Sequence, residues 1–179
     1  MWAFSAPIDE AAGVVYIPVS SPSPNYWGGS RPGNNLFGNS LVAVDLKTGK
    51  YRWHFQTVHH DLWDSDMPTA GALLDLKIDG KIRPAIVHVG KTSLFFEFDR
   101  KTGKPLMPVE ERAVPKGDVP GEYYAPTQPF PTKTPPLSRV TMTKADMVTA
   151  EDTTAEHAAA CQAMWDKACL LYTSDAADE

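Results

Sequence analysis

The sequence predicts an all-β fold assembled from small antiparallel sheets stacked as an array. Three observations carry that expectation. Sixteen prolines and twelve glycines divide the 179 residues into short pieces, which favours short strands and turns over long helices. Runs of β-branched and aromatic residues recur between these breakers. The pattern Asp-x-x-Thr-Gly occurs at Asp45–Gly49 and again at Asp99–Gly103, with the two aspartates 54 residues apart. A repeat near this length marks a propeller or a similar array, in which each small sheet needs neighbours to cover its faces.

The elements follow in order. Residues 13–20 form a β-branched run entered from an Asp-Glu-Ala-Ala turn. A long loop rich in Ser, Pro, Asn and Gly runs from Ser20 to Ser40, and loops of this length in compact domains are usually functional or disordered. Leu41–Asp45, the Leu46–Gly49 turn and Lys50–Phe55 read as a hairpin. Residues 72–76 and 84–89 are strand-like, with an Asp79-Gly80 turn between them, and Leu94–Asp99 is a further strand. The second copy of the repeat is weaker, with Met107 near the place that Trp53 holds in the first. Pro108–Arg139 reads as an extended, Pro-rich surface segment. From Lys144 to Ala168 the composition shifts toward Ala, Glu, Met and Gln and predicts a helix, with Ala155, Ala158, Ala159, Met164 and Trp165 on a shared face.

Composition narrows the function. A net charge of -5 argues against a nucleic-acid partner, because phosphate binding requires clustered Lys and Arg. No run of eighteen apolar residues is present to form a membrane-spanning helix, and the opening Met1–Phe4 does not read as a secretory signal. Two cysteines, Cys161 and Cys169, are too few for a metal cage of their own.

The segment richest in chemistry is His59–Asp66, which holds two imidazoles, three carboxylates and an indole between two apolar runs. A polar cluster presented at a loop by rigid strands is where chemistry is commonly placed. One of its aspartates is suited to act as a base, as a metal ligand, or as both. Asp61 and Asp66 read more readily as loop-structuring residues. His59 and His60 read as satisfied by backbone bonds or packed beneath the loop, and Trp63 as a packing residue beside the pocket.

The residues Ala43-x-Asp45-x-x-Thr48-Gly49-x-x-x-Trp53 resemble the tryptophan-docking motif of the pyrroloquinoline quinone (PQQ) dehydrogenases. Thr57–Asp64, directly after the motif, strengthens the likeness, and Pro126–Phe130 and Ala145–Met147 match the glucose-dehydrogenase branch. The resemblance implies a partial eight-bladed β-propeller over residues 1–168, roughly two to three blades, in which Trp53 docks structurally between neighbouring blades. It implies Asp64 as the catalytic proton acceptor, Lys91 at the quinone carbonyls, and Trp2 stacked on the quinone. Asp64 is also the tentative metal ligand. The implied cofactors are PQQ and Ca²⁺ or another divalent cation. Relatives that oxidise alcohols carry a metal-binding Asn where Ser20-Ser21-Pro22 stands here.

These residue types suit the chemistry. A carboxylate can take the proton of a hydroxyl. A lysine beside quinone oxygens offsets negative charge that grows there. An indole holds a flat cofactor by stacking. The expected reaction is oxidation of a sugar or polyol hydroxyl, glucose-type, with electrons passed on to a quinone or other acceptor. The resemblance also places the longer parent protein in the periplasm and allows membrane association. The competing expectation is a non-catalytic propeller scaffold that shares the docking repeat; such a scaffold would have no reason to keep Asp64 and Lys91 at their spacing. Residues 169–179 resemble the translation of a sequencing-library adapter, so they are expected to be an artefact tail on an internal fragment.

Overall fold

The computed structural model describes residues 6–140 and 142–167. Trp2 and residues 169–179 lie outside the described residues. The chain divides into two compact units, residues 1–138 and 139–179.

Among the described residues the first unit has nine strands, all paired antiparallel. Sheet A joins β1 (Ile8–Asp9), β2 (Val14–Pro18), β3 (Ser40–Asp45) and β4 (Tyr51–Gln56) in that order. Sheet B joins β5 (Ala72–Ile78), β6 (Lys81–Val89) and β7 (Phe95–Asp99). Sheet C pairs β8 (Val109–Ala113) with β9 (Thr127–Pro131). The all-β expectation is borne out. The region from Pro108 onward differs, because it contains this strand pair rather than a purely extended segment. Its prolines hid the pairing: Pro129 and Pro131 sit in β9, and a two-stranded ribbon tolerates proline where a central strand would not.

Alternation on the strands builds one core. The register aligns Tyr16 with Ala43 and Ala43 with Trp53, and likewise Pro18 with Leu41 and Leu41 with Phe55. Leu73, Ile86 and Phe98 align across sheet B in the same way. The apolar faces of the two sheets meet in a buried cluster that includes Val14, Tyr16, Leu41, Trp53, Met67, Ile86, Phe96 and Phe98. Phe55 lies between the sheets, with its ring centroid 4.7 Å from Phe98 and 5.7 Å from Phe96.

The two copies of Asp-x-x-Thr-Gly fold alike. Asp45 Oδ1 accepts hydrogen bonds from the Lys47 and Thr48 amides at 3.1 and 2.9 Å and from Thr48 Oγ1 at 2.9 Å. Asp99 Oδ1 does the same for Lys101, Thr102 and Thr102 Oγ1 at 3.0, 2.9 and 2.9 Å. Trp53 of sheet A reaches the second turn, where its indole N–H donates to the Arg100 carbonyl at 3.1 Å. Tyr16 donates its hydroxyl to the same carbonyl at 3.0 Å. Arg100 in turn pairs with Asp9 at 3.2 Å and Asp75 at 2.9 Å, tying the sheets together at their rim. After the second turn only an isolated bridge, Phe98 to Pro105, replaces the fourth strand that sheet A possesses.

In the second unit, α1 spans Ala155–Lys167, following a short 3-10 turn at Lys144–Asp146. The helix therefore begins later than its composition suggests. Thr149, through its amide and hydroxyl, binds Asp152 at 2.9 and 2.8 Å, a local turn that competes with helix. Its half-buried stripe is Ala158, Cys161, Gln162 and Trp165. Ala155, Ala159 and Met164 are exposed, so the expected shared face is corrected: the 3.6-residue period turns Ala159 and Met164 to either side of the stripe.

Candidate active site

The loop that follows β4 is held from below by the long loop between β2 and β3. Thr57 donates its amide and its hydroxyl to the Asn39 carbonyl at 2.8 and 3.0 Å. His59 lies between Gln56 Oε1 and Glu111 Oε1, at 2.7 and 3.0 Å from its two ring nitrogens. His60 is buried, with Nδ1 2.7 Å from the Gly33 carbonyl and Nε2 3.6 Å from Glu122. His60 is held by a backbone carbonyl and buried, as expected, whereas the His59 ring nitrogens meet side chains instead of the backbone.

Asp61 is almost fully buried, and its carboxylate organises the turn. It accepts from Ser21 Oγ at 2.5 Å, Asn39 Nδ2 at 3.1 Å, and the amides of Trp63 and Ser65 at 3.0 and 2.7 Å. A carboxylate with this many donors is a structural anchor. Past it the chain turns through Asp64, whose φ of 56° lies in the left-handed region that Asp tolerates better than most residues. That turn aims the Asp64 side chain outward. Trp63 beside it is 50% exposed rather than packed into the core.

Lys91 arrives from the end of β6. Its ammonium is 2.8 Å from Asp64 Oδ2 and 2.6 Å from Asp66 Oδ2. The other Asp64 oxygen accepts from Asn25 Nδ2 at 2.6 Å. The other Asp66 oxygen accepts the Ser21 amide at 2.9 Å. Hydrogen bonds to Asp64, and then to Asp66, raise the Lys91 pKa above the ordinary lysine value, so the side chain is a fixed cation. Exposure grades across the group, from 6% for the Asp66 side chain through 24% for Asp64 to 38% for Lys91.

The structure thus brings together Asp64 and Lys91, two of the three residues singled out in the sequence. It adds three that sequence reasoning missed or undervalued. Asp66 structures the loop as expected, but it also grips Lys91; a carboxylate two positions after Asp64 was the available signal. Ser21 supplies its backbone amide, and Asn25 its side chain. These contacts span 45 and 39 residues of sequence, so no local pattern announces them.

The Lys91 ammonium, partly exposed at the loop edge between two carboxylates, suits hydrogen bonding to quinone oxygens. The donor set fits a hard divalent cation only in part. Asp64 and Asp66 offer carboxylate oxygens, yet such a cation takes six to eight oxygen ligands. Among the described residues no group of three or more His, Cys, Asp or Glu side chains is placed to hold a metal.

Face-packed antiparallel sheets, joined by a tryptophan docked on the next turn, define adjoining blades of a β-propeller, here with an Asp–Lys pair at a loop edge. A family model for the PQQ-linked glucose/ethanol/alcohol dehydrogenase β-propeller domain matches residues 1–173, and the chain belongs to that family. It is 41% identical over 130 residues to the quinoprotein glucose dehydrogenase of Escherichia coli K12, covering 72% of this chain and 16% of that protein. It is 42% identical over 132 residues to the glycerol dehydrogenase large subunit of Gluconobacter oxydans 621H, covering 72% of this chain and 18% of that protein. Among solved structures, the quinohemoprotein alcohol dehydrogenase of Comamonas testosteroni matches with a TM-score of 0.55 and 32% identity, over 72% of this chain and 19% of that one. The chain therefore spans less than a fifth of the length of these relatives.

Proposed function

We propose that this chain supplies one wall of the active site of a PQQ-dependent dehydrogenase that oxidises a hydroxyl of a sugar or polyol, with Asp64 and Lys91 as its catalytic pair. The observation that carries the reading is the 2.8 Å contact between Lys91 Nζ and Asp64 Oδ2, made at the rim of a tryptophan-docked sheet pair. A docking scaffold accounts for Trp53 but gives no reason for that pair. The sugar and polyol assignment is supported by the relatives named glucose and glycerol dehydrogenase.

When bound, PQQ supplies the two-electron acceptor of the reaction. Lys91 would hold the quinone through its charged ammonium, which would offset negative charge on the bound group. Asp64, partly exposed and steadied by Asn25, takes the hydroxyl proton as the general base. Asp64 would also offer an oxygen to Ca²⁺ or a similar cation, whose remaining ligands would come from outside the described residues. Trp2 is the proposed stacking partner. By family likeness we extend the proposal to a periplasmic setting, membrane association of the longer protein, and a quinone or other electron acceptor.

The test uses a full-length relative in which residues 6–140 of this chain replace the matching segment. Asp64→Asn is expected to lower kcat by about 10²–10⁴-fold and to leave PQQ affinity within a few-fold of the parent. Turnover at the parental rate would remove Asp64 from the mechanism.

A further inference from the structure

We propose that Asp66 is a positioning residue that holds the Lys91 ammonium in place while Asp64 is engaged with the substrate proton. The proposal rests on the reading of Asp64 and Lys91 given above. Its warrant is an asymmetry between the two carboxylates that share one lysine.

Asp64 stands at the solvent edge, and only Asn25 and Lys91 meet its two oxygens among the hydrogen bonds described above. Asp66 is 4% exposed and is tied into the framework. Its Oδ1 accepts the Ser21 amide at 2.9 Å, and the Ser21 hydroxyl is itself fixed on the buried Asp61 carboxylate. Asp66 also binds Lys91 twice. Its Oδ2 meets the ammonium at 2.6 Å, and its carbonyl accepts the Lys91 amide at 2.9 Å. The intervening Gly90 permits this approach, since a Cβ there would stand 3.0 Å from the Asp66 carbonyl oxygen. Asp66 is thus the inner, stationary partner, and Asp64 the outer one.

The division of labour follows from the chemistry. As the base acts, the substrate O–H bond breaks and the proton joins an Asp64 oxygen, so Asp64 no longer offers Lys91 a full negative charge. A lysine anchored by that carboxylate alone would lose its partner at the moment its position matters. Asp66 keeps a carboxylate on the ammonium throughout. Small displacements of a group at a reaction centre can cost about a hundredfold in rate.

A double-mutant cycle tests this in the same full-length relative carrying residues 6–140. Asp66→Asn, Lys91→Ala and the double variant are compared for PQQ affinity of the apoprotein, read by quenching of tryptophan fluorescence, and for kcat and KM. Asp66→Asn is expected to weaken PQQ binding and lower kcat by roughly 10–100-fold, with KM for the sugar within about threefold. In the Lys91→Ala background it is expected to add less than about twofold, because residues acting through one another are not additive. Asp66→Glu, which keeps the charge and shifts it by one methylene, is expected to show a smaller loss that is likewise absent without Lys91. It also keeps the cycle readable if Asp66→Asn fails to fold. Equal losses with and without Lys91 would overturn the proposal, as would no loss at all. Restoration of Asp66→Asn by excess Ca²⁺ would also overturn it by assigning Asp66 to a metal. PQQ affinity needs no turnover, so coupling between Asp66 and Lys91 remains measurable even if Asp64→Asn shows that the base lies elsewhere.

Discussion

Gly49 and Gly103 hold the same place in two copies of one turn, with φ of 69° and 70°. Their surroundings differ. A Cβ at Gly49 would meet nothing within 4 Å, whereas one at Gly103 would lie 2.4 Å from Trp53 Cε3 and 2.5 Å from Cδ2. Both substitutions by alanine incur the left-handed penalty of about 1–2 kcal/mol. Only Gly103→Ala also pushes against a buried indole fixed by its bond to Arg100, and overpacking of this kind adds roughly 1–3 kcal/mol. Gly103→Ala is therefore expected to destabilise the chain by about 2–5 kcal/mol and Gly49→Ala by only about 1–2 kcal/mol, measured by urea unfolding. Equal midpoints would show that the docked indole does not bear on the second turn. The pair separates the cost of a backbone conformation from the cost of a contact between sheets.

At the level of the strand, β6 contributes a buried polar residue as well as its apolar side chains. His88 is 1% exposed and pairs across the sheet with Phe96. Its Nε2–H donates to the Thr69 carbonyl at 2.8 Å, while Nδ1 is buried without a partner among the described residues. Burial lowers the His88 pKa to about 4, since protonation would place a charge and an unsatisfied N–H at Nδ1. The unfolded chain binds that proton near pH 6.5. Stability from neutral His88 is complete above that pH and is lost progressively as pH falls toward 4, by about 3 kcal/mol in all. Denaturant unfolding between pH 7 and 4.5 is expected to show this slope, and His88→Leu is expected to flatten it; an unchanged slope would place the titration elsewhere. The strands themselves were legible in the sequence, because alternation and the Asp-x-x-Thr-Gly turns are local signals. Trp53 was legible for the same reason. Asp64 and Lys91 were legible only through their spacing and family likeness. Asn25 and Ser21 were not, because their roles arise when the loop between β2 and β3 folds over the loop that follows β4. The β8–β9 pair was hidden by prolines that a ribbon accepts.

For the molecule as a whole, sheets A and B bury one face of each against the other and leave a second face half-covered. Val15, Ile17 and Val44 on sheet A and Val87, Val89 and Phe95 on sheet B are half-buried residues pointing away from the shared core. Such a pair of sheets behaves as part of an array and calls for neighbours on its outer faces. The active-site edge has the same character. Asp64 and Lys91 stand partly exposed, whereas sites that hold a small molecule tightly bury most of its surface. The described residues supply the proposed base Asp64, the proposed cation Lys91 and their supports, but too few ligands for a hard cation. The chain by itself is therefore expected to give no sugar-dependent dye reduction when supplied with PQQ and Ca²⁺, although the same residues are expected to support turnover when placed within a full-length relative. Measurable reduction by the purified chain would mean that two sheets enclose enough of the cofactor to work alone. Activity lost in both settings would shift the fault to Asp64 and Lys91 rather than to the missing walls.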